Sequence, residues 1–171
     1  MTILEEGSPL FHRYRPNVGL AVFNSAGDVF LGKRVGAFKD YAWQMPQGGI
    51  DRGEGAEAAA WRELREEVGL EPAHARLIGQ IGAWLSYDFP RELMGRRTHG
   101  YIGQRQKWFA FRFIGQDSDI RLDLHTPEFS EWAWRPLSDA ALLVVPFKRR
   151  VYDLVTMGFA EFARPERASA G

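Results

Sequence analysis

Gly48-Gly49-Ile50-Asp51-Arg52-Gly53-Glu54, then Gly55 to Trp61, then Arg62-Glu63-Leu64-Arg65-Glu66-Glu67-Val68-Gly69-Leu70 is the most informative run in this chain. Its glycines supply a sharp entry turn, and Gly69 supplies a residue tolerant of positive φ just past a helix spanning about 55–68. At about 100° per residue, Glu63, Glu66 and Glu67 fall in one wedge of that helix, and Ala56, Ala59 and Ala60 extend the stripe upstream. The small side chains are expected to leave room for a ligand. Trp61, Leu64 and Val68 occupy the opposite face at spacings of three and four, so the carboxylates are expected to look outward from a buried apolar support. Like charges this close cost a few tenths of a kcal/mol per pair, which calls for a neutralising cation. Mg²⁺ suits an all-oxygen site that keeps open positions for phosphate and water, and Mn²⁺ can substitute for it.

The whole chain constrains the reading further. Its 171 residues suffice for one domain with a substantial core. Without cysteine there are no disulfides and no thiolate zinc sites. With no apolar N-terminal run resembling a signal peptide, and no uncharged stretch long enough to span a bilayer, the expectation is a cytoplasmic protein without a membrane partner. Lys plus Arg equals Asp plus Glu at 22 each, so the overall field is not that of a nonspecific nucleic-acid binder and no DNA partner is expected. Locally, basic residues interleave with aromatics, as suits a phosphate-bearing ligand with stackable bases.

Residues 18–23 and 29–34 read as strands joined by a turn at Asn24-Ser25-Ala26-Gly27-Asp28, a hairpin. A loop through 35–41 leads to Trp43-Gln44-Met45; further strands are expected at 75–84, 106–113 and 132–134, and helices at 137–143 and 151–162. The polar, basic segment 86–105 reads as a long functional loop. The four histidines have no metal-ligand spacing and read as surface or loop residues. Segments 1–12 and 164–171 are expected as flexible tails around a core of about 14–162.

Gly48, five residues, Glu54, seven residues, then Arg-Glu-apolar-x-Glu-Glu-x-Gly-apolar matches the Nudix box at every defined position. Beyond it, Tyr14-Arg15-Pro16-Asn17-Val18-Gly19, Trp43-Gln44-Met45-Pro46-Gln47, Gln104-Arg105-Gln106-Lys107-Trp108-Phe109, Thr126-Pro127-Glu128-Phe129 and Phe147-Lys148-Arg149-Arg150-Val151-Tyr152 complete the pattern. The chain resembles the bacterial RNA pyrophosphohydrolase branch of the Nudix hydrolases, also described as dinucleoside polyphosphate hydrolases. The resemblance implies an α/β (α+β) Nudix fold, a mixed sheet sandwiched between helices. It also implies Mg²⁺-dependent hydrolysis of a 5′-triphosphorylated or diphosphorylated RNA end to a monophosphate, a step that exposes a transcript to decay. The same chemistry on a dinucleoside polyphosphate such as diadenosine tetraphosphate or pentaphosphate is the alternative substrate reading. A noncatalytic nucleotide-sensing module is a further one, in which the metal-binding glutamates would be expected to be lost.

By resemblance, Glu63, Glu66, Glu67 and Glu128 hold the metal with a backbone carbonyl from the Gln47-Gly48 turn, and Glu67 or Glu128 takes the proton from water. Arg15 matches a phosphate-contacting arginine, while Arg34, Lys39 and Lys148 are candidates for the same role. Tyr87 and Phe147 match positions where aromatics hold a nucleobase, Phe147 packing under the last helix being the other reading. Arg62 and Glu54 form polar contacts that orient the helix and loop. The resemblance names no protein partner.

Overall fold

The computed structural model describes residues 2–37 and 41–167. Within the strand 14–23 the stretch 18–23 is apolar on both of its alternating faces. Val18, Leu20 and Val22 bury toward one face and Ala21 and Phe23 toward the other, so this strand must be covered on both sides. The chain supplies those covers as helices. In order it forms β1 (Ile3–Leu4), β2 (Tyr14–Phe23), β3 (Val29–Arg34), β4 (Trp43–Gln44), β5 (Gln47–Gly49), α1 (Ala56–Glu63), β6 (Ala75–Asp88), β7 (Gly103–Phe113), β8 (Phe129–Arg135), α2 (Leu137–Leu143) and α3 (Arg149–Gly158).

The strands make one mixed sheet ordered β1-β6-β7-β2-β3-β4, with β5 also paired to β2 and β8 to β3. Its centre is a parallel pair, β2 with β7, in continuous register from Tyr14↔Gly103 to Phe23↔Arg112. On one face α1 and the turn that follows it seat Ala59, Ala60, Leu64 and Val68 against Val18, Leu20, Val22, Phe109 and Phe111. On the other, α2 and α3 cover Ala21, Phe23, Met45, Trp108 and Ala110. The mixed sheet between helices expected above is the fold observed.

Local chemistry explains the joints. In the β2–β3 turn Asn24 Oδ1 accepts from the backbone N–H groups of Ala26 and Asp28 at 3.1 and 2.9 Å, and Gly27 takes φ +86°. Where β2 crosses Trp108, a side chain at Gly19 would stand 2.4 Å from the indole, so glycine is required for that ring to lie flat under the sheet.

Two expectations are corrected here. The loop between β6 and β7 spans 89–102 rather than 86–105, because the antiparallel ladder zips on through Ser86↔Arg105, Tyr87↔Gln104 and Asp88↔Gly103. The last helix ends at Gly158, with a short 3-10 turn at Ala160–Phe162 continuing its apolar face. Of the terminal segments, Ile3–Leu4 pairs with Leu85 and Trp84, and the Glu166 N–H donates to the Ser25 carbonyl at 2.9 Å. Among the described residues no helix is long and apolar enough to cross a membrane.

One contact ties this architecture to the segment that carries the site. The fully buried Tyr152 of α3 accepts a hydrogen bond from the Met45 N–H at 2.8 Å, pinning the chain between β4 and β5 to the helix below. Tyr152→Phe removes that acceptor and strands a buried N–H, so urea unfolding should show a loss of about 1–3 kcal/mol in stability. A loss under about 0.5 kcal/mol would show that Met45 finds another partner.

Candidate active site

The glutamate helix changes pitch where it matters. After α1, residues 64–68 form one wider, π-type turn, and the chain leaves it through Gly69 at φ +78°. Such turns recur at functional sites because they re-aim side chains within an otherwise regular helix. Burying Leu64 and Val68 is worth about 1.5–3 kcal/mol each, which outweighs the few tenths per pair of repulsion among the glutamates, so the turn holds on its own seating.

The carboxylates do not look outward, as the helical wheel suggested. Glu63 and Glu67 are only 8% and 9% exposed and face β5, while Glu66 is half-buried. The reason is Gly48: a Cβ there would lie 1.8 Å from the Glu63 carboxyl carbon, so only glycine lets the acid lie against the strand. Glu67 accepts from the Gln47 N–H at 3.3 Å. Ala59 and Ala60 do not open room for a ligand either, being fully buried against the sheet; they let the helix approach it.

Arg62 organises this wall. Its Nε and one Nη grip both oxygens of Glu54 at 2.8 Å each, and that same Nη donates to the Gly49 carbonyl at 2.7 Å. The other Nη donates to Glu63 at 2.8 Å and Glu66 at 3.3 Å. The five guanidinium N–H groups match five acceptors, a fork no other side chain offers. It holds the Glu54 carboxyl down at about 2, chiefly through that hydrogen bond. Glu54 also accepts from the Asp51 N–H at 3.0 Å, closing the 51–54 turn.

Across from the acids stand cations. Arg15, Arg34 and Lys148 line the same cleft of about 410 Å³ as Glu63, Glu66, Glu67 and Glu128, and among the described residues none of the three has a carboxylate partner. The Arg15 guanidinium lies over Gly49, where a Cβ would come within 2.9 Å of it. Lys148 is 6% exposed, and its ammonium donates to Gln44 Oε1 at 3.1 Å and Gln47 Oε1 at 2.9 Å. Burial, then the charge of Arg34, brings it down to about 7 against the pull of Glu67.

The structure thus brings together Arg15, Arg34, Gly48, Glu63, Glu66, Glu67, Glu128 and Lys148, with Arg62 and Glu54 behind them. Tyr87 and Phe147 are not among the side chains lining the cleft, although the Lys148 ammonium lies 5.5 Å over the Tyr87 ring. Their rings pack on each other at 5.6 Å and line a neighbouring hollow, and Tyr87, 6% exposed, spends its hydroxyl on Gln104 Oε1 at 2.5 Å. Lys39 lies outside the described residues. Asn17, Gln44, Gln47, Gln104, His125 and Thr126 also line the cleft, none singled out by sequence as a site side chain. His125 and Thr126 were legible only through their closeness in the chain to Glu128.

Whether these acids suit a cation is answered by their mutual strain. Burial raises both Glu63 and Glu67 above the usual carboxylate range, and Glu128 adds to the effect on each through its charge. Two buried acids whose ionisation is disfavoured, with the charge of Glu128 beside them, form an oxygen-donor site that a hard positive ion would relieve. Among the described residues no three acidic or imidazole side chains close tightly enough to enclose an ion as they stand.

Residues 13–155 match the NUDIX domain. The RNA pyrophosphohydrolase of Rhodospirillum rubrum is 51% identical over 156 residues, covering 91% of this chain and 92% of that protein. The RNA pyrophosphohydrolase of Acidiphilium cryptum is 48% identical over 91% of this chain and 95% of its own length. Among solved structures, the E. coli dihydroneopterin triphosphate pyrophosphohydrolase aligns with a TM-score of 0.63 at 21% identity, over 85% of this chain and 98% of that one. A C. elegans Ap4A hydrolase binary complex aligns at 0.58 with 16% identity over 85% and 98%. At these identities the structural likeness is one of fold.

The Glu54–Arg62 grip sets a pH signature. Because folding holds the Glu54 carboxyl at about 2, below its ordinary 4.5, its stabilisation is complete above about pH 4.5 and is lost as pH falls toward 2. Glu54→Gln should therefore lower stability by about 1–3 kcal/mol at neutral pH, with the gap to the parent narrowing below about pH 4.5. Urea titrations across that range read it, and a gap independent of pH would show that the charge is not what matters.

Proposed function

This chain belongs to the NUDIX family, and we propose that it hydrolyses a phosphoric anhydride bond at the 5′-triphosphate or diphosphate end of RNA, leaving a 5′-monophosphate. The observation that carries this reading is the shared cleft: four glutamates on one side face three cations without carboxylate partners on the other. A polyphosphate satisfies both, its oxygens neutralised from both directions. The RNA end, rather than a dinucleotide, is favoured by relatives 46–51% identical over most of the chain that carry the name RNA pyrophosphohydrolase. Residues 14–162 would form one catalytic domain.

Nudix hydrolases generally use divalent metal ions. We assign Mg²⁺, with Mn²⁺ able to substitute, to Glu63, Glu66, Glu67, Glu128 and the Gly48 carbonyl; when bound it neutralises charge on the phosphoryl oxygens and leaving group. The remaining work falls to the chain. Arg15 grips the phosphate chain from the rim, and Lys148 meets it from the floor with Arg34 beside it. Glu67 removes the proton of the attacking water, since its burial raises its proton affinity and its contact with the Gln47 N–H fixes its position. Glu66 and Glu128 complete the acidic wall. Arg62 keeps Glu63 and Glu66 aimed without touching substrate.

The test is product analysis with an end-labelled triphosphorylated RNA, run beside a dinucleoside polyphosphate at equal Mg²⁺. RNA should be turned over with the higher kcat/KM, and chelation should abolish turnover that added Mg²⁺ restores. Glu67→Gln should lower kcat by about 10²–10⁴-fold, the usual contribution of a positioned base. Preference for the dinucleotide would reassign the substrate, and undiminished turnover by Glu67→Gln would remove that residue from the chemistry.

A further inference from the structure

Beneath the cleft runs a chain of side-chain amides that neither proton transfer nor metal binding calls for. The Trp108 indole N–H donates to Gln106 Oε1 at 3.2 Å. Gln106 Nε2 then donates to Asn17 Oδ1 at 2.7 Å and toward Gln47 Oε1 at 3.5 Å. Gln47 Nε2 donates to Gln104 Oε1 at 3.2 Å, and Gln47 Oε1 also receives the Lys148 ammonium at 2.9 Å. Asn17, Gln106 and Trp108 are at most 1% exposed, and none of the side chains in this network has a polar atom that is both buried and unpartnered.

We propose that Trp108 is a positioning residue for the phosphate site: its indole N–H sets, through Gln106 and Gln47, which end of each amide faces Lys148. The inference rests on the reading of Lys148 as a phosphate-binding cation. An amide can be turned over with little change in shape, exchanging donor for acceptor, so each glutamine here has two orientations. The ends of the chain do not have that freedom. Indole N–H and ammonium are both donors only. If Gln106 turned over, its NH₂ would meet the indole N–H and its oxygen would face Gln47; Gln47 would then present NH₂ to the ammonium. Both junctions would set donor against donor in a buried place, where an unmade hydrogen bond costs most. Trp108 thereby selects the one orientation that offers Lys148 an oxygen.

The consequence is directional. Lys148 has three N–H donors, and Gln44 and Gln47 take two. Both partners are neutral carbonyls, so the ammonium is aimed without its charge being cancelled, and its third donor remains for an anion in the cleft that it lines.

The experiment is a double-mutant cycle. Trp108→Phe keeps a large ring and deletes the N–H. Gln106→Glu keeps the shape and deletes the donor toward Gln47. Each variant is checked for the parent's melting behaviour, and one that fails to fold yields to the other. Two quantities are read: KM and kcat on triphosphorylated RNA, and the Kd for inorganic triphosphate by calorimetry, which reports the anion site whether or not RNA is turned over. Each variant should raise KM and Kd about 5–10-fold while lowering kcat less. In a Lys148→Met background the same changes should add under about 2-fold, because the residue they act through is gone. If the effects instead multiply in that background, the relay is overturned while Lys148 keeps its role. If Lys148→Met itself leaves Kd and KM unchanged, the phosphate role and the relay fall together. A folded Gln106→Glu that binds triphosphate like the parent overturns the proposal alone.

Discussion

Five hydrogen bonds from one guanidinium hold this site together. Arg62 spans the loop carbonyl at Gly49, the turn acid Glu54 and the helix acids Glu63 and Glu66, so the segment before α1 and the carboxylates on it move as one piece. A lysine could offer only three donors from a point charge, leaving acceptors unmet. The arrangement also reconciles a conflict of charges. Glu63 is penalised by burial, and the hydrogen bond and charge of Arg62 oppose that penalty. Arg62 thus limits that rise while Glu63 still lines the cleft.

That wall has meaning only because the sheet sets another opposite it. β2 presents Arg15 at its start and pairs with β5 through Val18↔Gly48, so Arg15 and the glycines under Glu63 share one edge. β7 runs parallel on the other side of β2 and brings Gln104 and Gln106 alongside, while α3 begins at the turn that carries Lys148. Burial of both faces of β2 fixes this register, since a slip by one residue would exchange the sets of side chains facing α1 and α3. Packing therefore sets the spacing between acids and cations.

Much of this was legible in the sequence, and the limits are physical. The hairpin and the glutamate helix follow from alternation and helical spacing, and the acids lie on the face those spacings give. What periodicity could not supply was the partner of that face: a wheel shows Glu63, Glu66 and Glu67 together but cannot tell that Gly48 admits them inward, because β5 is only three residues long. The same blindness made Ala59 and Ala60 look like space for a ligand when they are seats against the sheet. The ladder from Ser86 to Asp88 escaped notice because its pairing is nonlocal and its residues are polar. Tyr87 and Phe147 came from family likeness, which matches positions but not the way two rings occupy each other here.

The amides were the least legible of all, since glutamine carries no periodic signal and no charge. Their presence is nonetheless constrained by the alternatives. An apolar residue at position 47 would leave the buried Lys148 ammonium with one fewer acceptor, and an uncompensated buried charge costs several kcal/mol, about 3–5 where one partner of an ion pair is deleted. A carboxylate there would meet the ammonium fully and spend the charge that an incoming phosphate needs. Neutral carbonyls lie between these extremes, satisfying the donors while leaving the field intact. Such carbonyls are useful only if they cannot turn away. The orientation of Gln47 must therefore be fixed by something that cannot itself turn over, and an indole at 0% exposure, wedged under Gly19, has that property.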